Sequence, residues 1–251
     1  MQSRDTEKPL LDHLEDLRWV IIKTLSALFI GAVLCFIFTQ PLMNLLKHPL
    51  SIVLKKLNNP SNIYLLKTLS PTSAFTLTIK MAFGAGFILS LPFILYFIID
   101  FITPALTSRE KKAVLPIGML ICILFIVGIS FAFYVALPLT LLFLWKYNLS
   151  LGIEPAWTIE NFLSFEMTFL GGFGIMFEIP LAILALVYLG IISRDQLIAK
   201  RRHAILASFI IGAVLTPPDP ISQICMSIPL VLLYELCIWL ALLVENKKTI
   251  T

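Results

Sequence analysis

Charged side chains are scarce in this chain of 251 residues, in which Asp, Glu, Lys and Arg make up 14% and hydrophobic residues 59%. Soluble domains average about 25% charged and about 45–50% apolar residues. This composition excludes an ordinary water-soluble globular protein. It predicts an all-α integral membrane protein, because the apolar residues are gathered in long runs of the length that crosses a bilayer as a helix.

Sequence motifs for catalysis and for cofactors are also missing. The four cysteines lie in apolar runs without a CxxC pair, which is typical of small buried hydrophobic side chains. No GxxxxGK[ST] or HExxH sequence occurs, and the histidines His13, His48 and His203 are scattered. We therefore expect no enzyme activity, no cofactor, no metal site and no nucleic-acid partner. An intramembrane enzyme would also need a catalytic partner at the depth of Glu178, and none is evident.

The apolar runs predict six transmembrane helices in a single polytopic membrane domain that covers residues 1–251. Their expected bounds are 19–39, 72–102, 113–137, 162–189, 203–216 and 221–244. The second and fourth runs exceed the bilayer core of about 30 Å, so we expect them to tilt or to bend at Pro92 and Pro180. The fifth run has about 14 residues, or about 21 Å of helix. A span this short requires local thinning of the bilayer or shielding by neighbouring helices.

The distribution of lysine and arginine predicts the orientation of the chain. Six spans put both termini on one side, and we expect the amino end to be retained because it lacks the apolar core of a signal peptide. The side of the termini carries Arg4, Lys8, Arg18, Arg109, Lys111, Lys112, Arg194, Lys200, Arg201, Arg202, Lys247 and Lys248. The opposite loops carry Lys47, Lys55, Lys56, Lys67 and Lys146. The positive-inside rule therefore predicts that both termini are cytoplasmic.

Glu178 is a carboxylate inside the fourth apolar run, two residues before Pro180. A carboxylate at the bilayer centre costs about 2.5–3.5 kcal/mol on insertion scales, so an intramembrane acid is a functional hypothesis by default. The structural alternatives are a position near a helix end, a protonated side chain, or a bond to a neighbouring helix. Glu160 and Glu166 lie nearer the start of the run, where we expect water or headgroups to reach them.

Two further acids, Glu15 and Glu110, lie beside membrane helices on the basic, cytoplasmic side. Residues 9–18 predict a short amphipathic helix along the membrane, in which Glu15 and Arg18 are also spaced for a surface ion pair. Glu110 is three residues after Thr107, the spacing of a capping box, as Gln196 is after Ser193. Alternatively, two isolated carboxylates provide sites for two guanidinium groups, through charge-assisted hydrogen bonds.

Four ordered motifs resemble the TatC family of the twin-arginine translocase. Residues 13–18, HLEDLR, resemble its HLxELR signature, with Asp16 in place of Glu; residues 101–110, FITPALTSRE, resemble its first cytoplasmic loop, with Thr107 in place of an aromatic residue. Residues 177–180, FEIP, resemble its fourth-span motif. Residues 215–219, LTPPD, followed by Ser222 and Gln223, resemble its turn between spans five and six. The resemblance covers essentially the whole chain.

The resemblance implies a concave, glove-like bundle with short fifth and sixth spans. It implies a receptor and core subunit of a proton-motive-force-driven export complex for folded proteins in the bacterial cytoplasmic (inner) membrane. The implied signal-peptide site comprises Glu15, Glu110, Phe101 and Arg18, and Glu178 matches an intramembrane acid in a water-accessible groove. Thr216 and Gln223 match a docking surface for single-span TatA- and TatB-type subunits. Asp219 matches an acid of the external turn, where its alternative role is the N-cap of span six.

A proton-coupled small-molecule transporter, with Glu178 as the titrating group, is the alternative function. It would take up protons with its substrate and would need no partner subunit. The export interpretation instead implies an oligomeric complex, because one chain of this size is too small to enclose a pore for a folded protein.

Overall fold

The computed structural model describes residues 10–57, 66–103, 108–188, 191–215 and 220–249, which are helical almost throughout. No strand occurs in these ranges, apart from an isolated bridge between Lys67 and Thr158. The helices are α1 (Leu10–Ile37), α2 (Thr39–Leu46), α3 (His48–Lys56), α4 (Ser73–Ile102), α5 (Ser108–Phe131), a π-helical turn (Ala132–Ala136), α6 (Leu137–Ser150), α7 (Ile159–Tyr188), α8 (Arg194–Ala199), α9 (Arg201–Leu215) and α10 (Pro220–Thr249). The predicted all-α class is confirmed.

Five stretches in the described ranges are long and apolar enough to cross a membrane, namely Leu14–Ile37, Ser73–Ile102, Pro116–Ser150, Ile159–Val187 and Pro220–Leu242. The chain is a multi-pass membrane protein. Helix α9 has 15 residues, or about 22 Å, so the predicted shortness of the fifth run is confirmed. The sixth span is not short, because α10 runs for 30 residues and its apolar part alone extends from Pro220 to Leu242.

Helix α1 corrects the prediction of a separate amphipathic helix at the amino end. Residues 10–37 form one uninterrupted α-helix of 28 residues. The reason is local, since neither proline nor glycine occurs between Leu10 and Gly31 to break the hydrogen-bond ladder. Glu15 therefore lies on the same continuous helix as the first apolar span.

The third helical stretch extends beyond its predicted end at residue 137. The helix continues to Ser150 through the π-helical turn, in which the Leu137 amide donates to the Ala132 carbonyl five residues earlier. Pro138 falls in the first turn of α6, where the missing proline N–H costs little. A π-helical turn thus lets a proline enter a long helix without ending it.

The described chain divides into two compact units, Met1–Leu42 with Thr78–Cys122, and Met43–Leu77 with Ile123–Thr251. In the first unit, α1 and α4 touch through their backbones at Gly31 and Gly86. Lys23, eight residues before Gly31, lies near the ring of Phe97, eleven residues after Gly86. From the first contact to the second, the residue numbers decrease along α1 and increase along α4. Helices α1 and α4 are therefore antiparallel.

The second unit is organised around α7 and α10. Phe169 and Phe173 of α7 are fully buried and contact each other, and the π-helical turn and α10 pack against α7. Helix α10 also packs against the short α9, where the Ser227 hydroxyl donates to the Ser208 carbonyl over 3.2 Å. The short fifth helix is therefore held along α10 by close backbone approach and hydrogen bonds.

Candidate functional site

Glu15 and Arg18 lie near the start of α1, and both side chains are exposed. Within the described ranges neither side chain forms an ion pair, so the surface pair that their three-residue spacing allows is not formed. The Glu15 carboxylate is thus open to solvent, with its charge uncompensated by its own helix. An exposed carboxylate of this kind is available to a guanidinium group from outside the chain.

Phe101 and Glu110 flank the connection between α4 and α5. Phe101 is half-buried at the penultimate position of α4, and Glu110 lies in the first turn of α5. The Glu110 side chain and Thr107 lie outside the described part, so the capping box predicted there stays a prediction. The equivalent prediction for Ser193 and Gln196 is confirmed, since each side chain bonds the backbone N–H of the other residue.

The register of α1 against α4 brings Glu15 and Phe101 to the same end of the first unit. Glu15 precedes the Gly31–Gly86 contact by about 24 Å of helix, and Phe101 follows it by about 22 Å on the antiparallel helix. Glu15 and Phe101 thus lie at one level, with Arg18 one helical turn from Glu15. Helix α5, which carries Glu110 in its first turn, begins six residues after the end of α4 along the chain.

Glu178 lies within α7 in the second unit and is half-buried. Both of its carboxylate oxygens are shielded from solvent without a well-formed hydrogen bond to the described residues, and the backbone of Phe125 on α5 is the polar group that faces them. Gly128 of α5 lets the two helices approach here, because a Cβ atom on it would meet the Phe173 carbonyl and the Phe177 ring. Glu178 therefore borders a tight helix contact.

Glu166 is the residue that sequence reasoning misjudged, since water or headgroups were expected to reach it. Its side chain is 0% exposed, and neither oxygen has a hydrogen-bond partner in the described part of the chain. The helical periodicity of the apolar residues around Glu166 indicates its burial. Glu166 falls on the α7 face whose other members are buried at intervals of three and four residues, namely Phe162, Leu163, Phe169, Leu170, Phe173, Met176 and Phe177.

Gln223, predicted for partner docking, has a partner within the chain. Its side-chain amide donates from Nε2 to the Phe209 carbonyl over 3.1 Å and so ties α10 to α9. Helix α10 begins at Pro220, the residue that follows the predicted N-cap Asp219. Thr216 and Asp219 lie outside the described residues, and their roles stay predictions.

Comparisons with known proteins agree with this arrangement of helices. The family model described as "Sec-independent protein translocase protein (TatC)" matches residues 12–229. This chain belongs to the TatC family. The Sec-independent protein translocase protein TatC of Aquifex aeolicus is 37% identical over 245 residues, covering 96% of this chain and 97% of that protein. TatC of Escherichia coli K12 is 34% identical, covering 94% and 88%.

The fold of a solved TatC is also similar to the fold of this chain. A crystal structure of the twin-arginine translocase receptor TatC matches with a TM-score of 0.77 and 35% identity, covering 93% of this chain and 99% of that one. The names of these TatC proteins describe a translocase involved in protein transport, and none of them describes an enzyme. They give no support to the small-molecule transporter.

Proposed function

We propose that this TatC-family chain is the signal-peptide receptor and core subunit of a twin-arginine translocase. The observation that carries the proposal is the match over nearly the whole chain to a solved twin-arginine translocase receptor. The chain would lie in a bacterial cytoplasmic membrane as a single membrane domain of six spans with both termini in the cytoplasm. That orientation follows from the basic residues around α1, α5, α8 and α9.

The recognition step rests on two carboxylates that meet two guanidinium groups. Glu15 is exposed and unpaired within the described ranges, and the antiparallel register brings Phe101, at the end of α4, to its level. Glu110, in the first turn of α5 shortly after α4 along the chain, is the second carboxylate of the proposed site. Arginine presents a planar fork that binds a carboxylate through two parallel N–H donors, whereas lysine offers a point charge. Phe101 adds an apolar surface beside these acids.

Export would proceed in a complex with partner subunits. We assign the α9–α10 region, with Thr216 and Gln223, to docking of TatA- and TatB-type single-span helices, because α9 is too short to cover the bilayer thickness alone. Because Nε2 of Gln223 already donates to Phe209, the proposed contact uses its side-chain oxygen as the acceptor for a partner helix, a hydrogen bond of about 1 kcal/mol. The chain itself carries no nucleotide-binding motif, so the proton-motive force is the proposed energy source and Glu178 the proposed intramembrane acid.

Site-specific photocrosslinking in membranes tests the receptor role. A photoreactive amino acid replaces Leu14 or Phe101, and membranes are incubated with a signal peptide that carries Arg-Arg or Lys-Lys. We expect strong crosslinking of the Arg-Arg peptide and weak crosslinking of the Lys-Lys peptide, which keeps the charge but loses the planar fork. A probe at exposed Leu151, beyond α6 in the second unit, is the control position. Equal yields with both peptides would contradict the proposed site.

A further inference from the structure

An apolar groove in the first compact unit lies between α1 and α4. The two helices touch at Gly31 and Gly86 and leave open a cavity of about 460 Å³ that extends to Trp19 and Phe97. Its walls are almost entirely apolar, and several wall residues are more than half exposed, among them Trp19, Ile30 and Phe93. The groove is thus a surface site that an elongated apolar molecule can enter from the side.

One cation, Lys23, lines this groove. Its ammonium nitrogen lies 6.0 Å from the centroid of the Phe97 ring, and no carboxylate in the described part of the chain pairs with it. A lysine within a membrane-spanning stretch is costly unless its charge is matched by an anion or reaches the interface. The groove therefore combines apolar walls with one positive charge that has no carboxylate partner in the described part of the chain.

The position of Lys23 along α1 indicates where its anion would come from. Trp19 precedes it by one helical turn on the same face and also lines the groove, and tryptophan side chains concentrate at the headgroup level of membranes. Lys23 is therefore about 6 Å deeper than Trp19 along the helix, a distance that the lysine side chain spans by extending toward the headgroups. Basic pockets between transmembrane helices on the cytoplasmic side bind anionic lipid headgroups.

We propose that this groove binds one anionic phospholipid, with its phosphate on the Lys23 ammonium group and an acyl chain along Ala27, Ile30, Leu34 and Phe93. A phospholipid supplies both the anion and the apolar chain that the groove lacks. A zwitterionic phospholipid fits less well because its own ammonium group competes with Lys23 for the phosphate. An apolar helix of a partner or of a signal peptide would fill the groove but would supply no anion for Lys23.

Native mass spectrometry of the purified chain in mild detergent tests the site. The chain is titrated with phosphatidylglycerol or with phosphatidylcholine of the same acyl chains, and retained lipid is counted. We expect preferential retention of one phosphatidylglycerol, and Lys23→Gln should weaken its binding about fivefold. Lys23→Arg should keep the preference, and Ala27→Phe, which fills the groove, should reduce retention of both lipids. The matched control is Lys80→Gln, an exposed lysine on α4 outside the groove, which should change nothing.

Several outcomes would overturn the proposal. Equal retention of the two lipids by the parent chain would mean that the groove is ordinary lipid-facing surface. An equal loss of phosphatidylglycerol binding in Lys23→Gln and Lys80→Gln would mean that the lipid is attracted by any lysine on the surface and not by the groove. A photoreactive group at Ala27 that crosslinks a signal peptide or a second chain, without competition from phosphatidylglycerol, would assign the groove to a protein. Because the parent preference and Ala27→Phe are independent readouts, the test survives if Lys23→Gln folds poorly.

Discussion

Gly86 of α4 lies so close to Ala32 of α1 that a Cβ atom on Gly86 would be 2.5 Å from the Ala32 backbone nitrogen. Backbone cannot move aside as a flexible side chain can, so a methyl group there would force the two helices apart. The same contact sets the register that brings Glu15 and Phe101 to one level, and Gly31 also lines the groove that contains Lys23.

Gly86→Ala should therefore destabilise the protein by about 1–3 kcal/mol, the usual cost of overpacking. The matched control is Gly171→Ala in α7, where a Cβ atom would meet nothing within 4 Å. There the better helix propensity of alanine should raise stability by up to about 1 kcal/mol. Thermal unfolding in detergent distinguishes the two, and an equal shift of both midpoints would contradict the backbone contact.

Glu166→Met should stabilise the protein. The carboxyl group is fully buried and has no hydrogen-bond partner among the described residues, and burial of an unpaired polar group costs about 1–3 kcal/mol. Methionine has a similar shape and no polar group to bury. The control is Glu154→Met, an exposed acid for which no gain is expected. A lower unfolding temperature for Glu166→Met would show that the carboxyl group has a stabilising partner or a bound ligand.

Glu15→Gln and Glu110→Gln should each weaken binding of an Arg-Arg signal peptide about tenfold or more, because each removes a charge-assisted hydrogen bond of about 1.5–3 kcal/mol. Glu178→Gln should have a smaller effect, since Glu178 lies inside α7 rather than at the exposed start of α1. Equilibrium binding of a fluorescent signal peptide measures all three. Glu154→Gln serves as the control for general loss of negative charge, and unchanged binding in both Glu15→Gln and Glu110→Gln would refute the site.

Two adjacent residues of α10 should respond differently to salt. The Tyr234 hydroxyl donates to the Leu197 carbonyl of α8 over 2.9 Å, whereas Glu235 and Arg201 form an ion pair at 2.9 Å with both side chains nearly half exposed. Tyr234→Phe should cost about 0.5–1.5 kcal/mol at any salt concentration. Glu235→Gln should cost less than about 1 kcal/mol, and high salt should abolish that cost. Unfolding midpoints at low and high salt measure both, and the same salt dependence in the two variants would argue against these contacts.

Much of the site could be located from the sequence because its signals are local. Glu15 and Glu110 stand out as acids among basic residues beside apolar runs, and the Ser193–Gln196 box is a pattern of four consecutive residues. The mistakes arose where a local pattern was interpreted without its neighbours. Residues 10–18 have amphipathic spacing, but nothing interrupts the helix that follows, and Pro138 looks like a helix end until the π-helical turn places it in a first turn.

The sequence by itself determined the class, the family and the short fifth helix. These conclusions rest on the scarcity of charge, the lengths of the apolar runs and four ordered motifs. Such features can be recognised in the sequence without knowing which helix surfaces pack together. The tertiary structure alone decided that Glu166 is enclosed, that Gly31 and Gly86 touch, and that Lys23 lines a groove beside Phe97. These depend on which helix faces meet and at what register, and residues far apart in sequence acquire that relationship only when the helices pack.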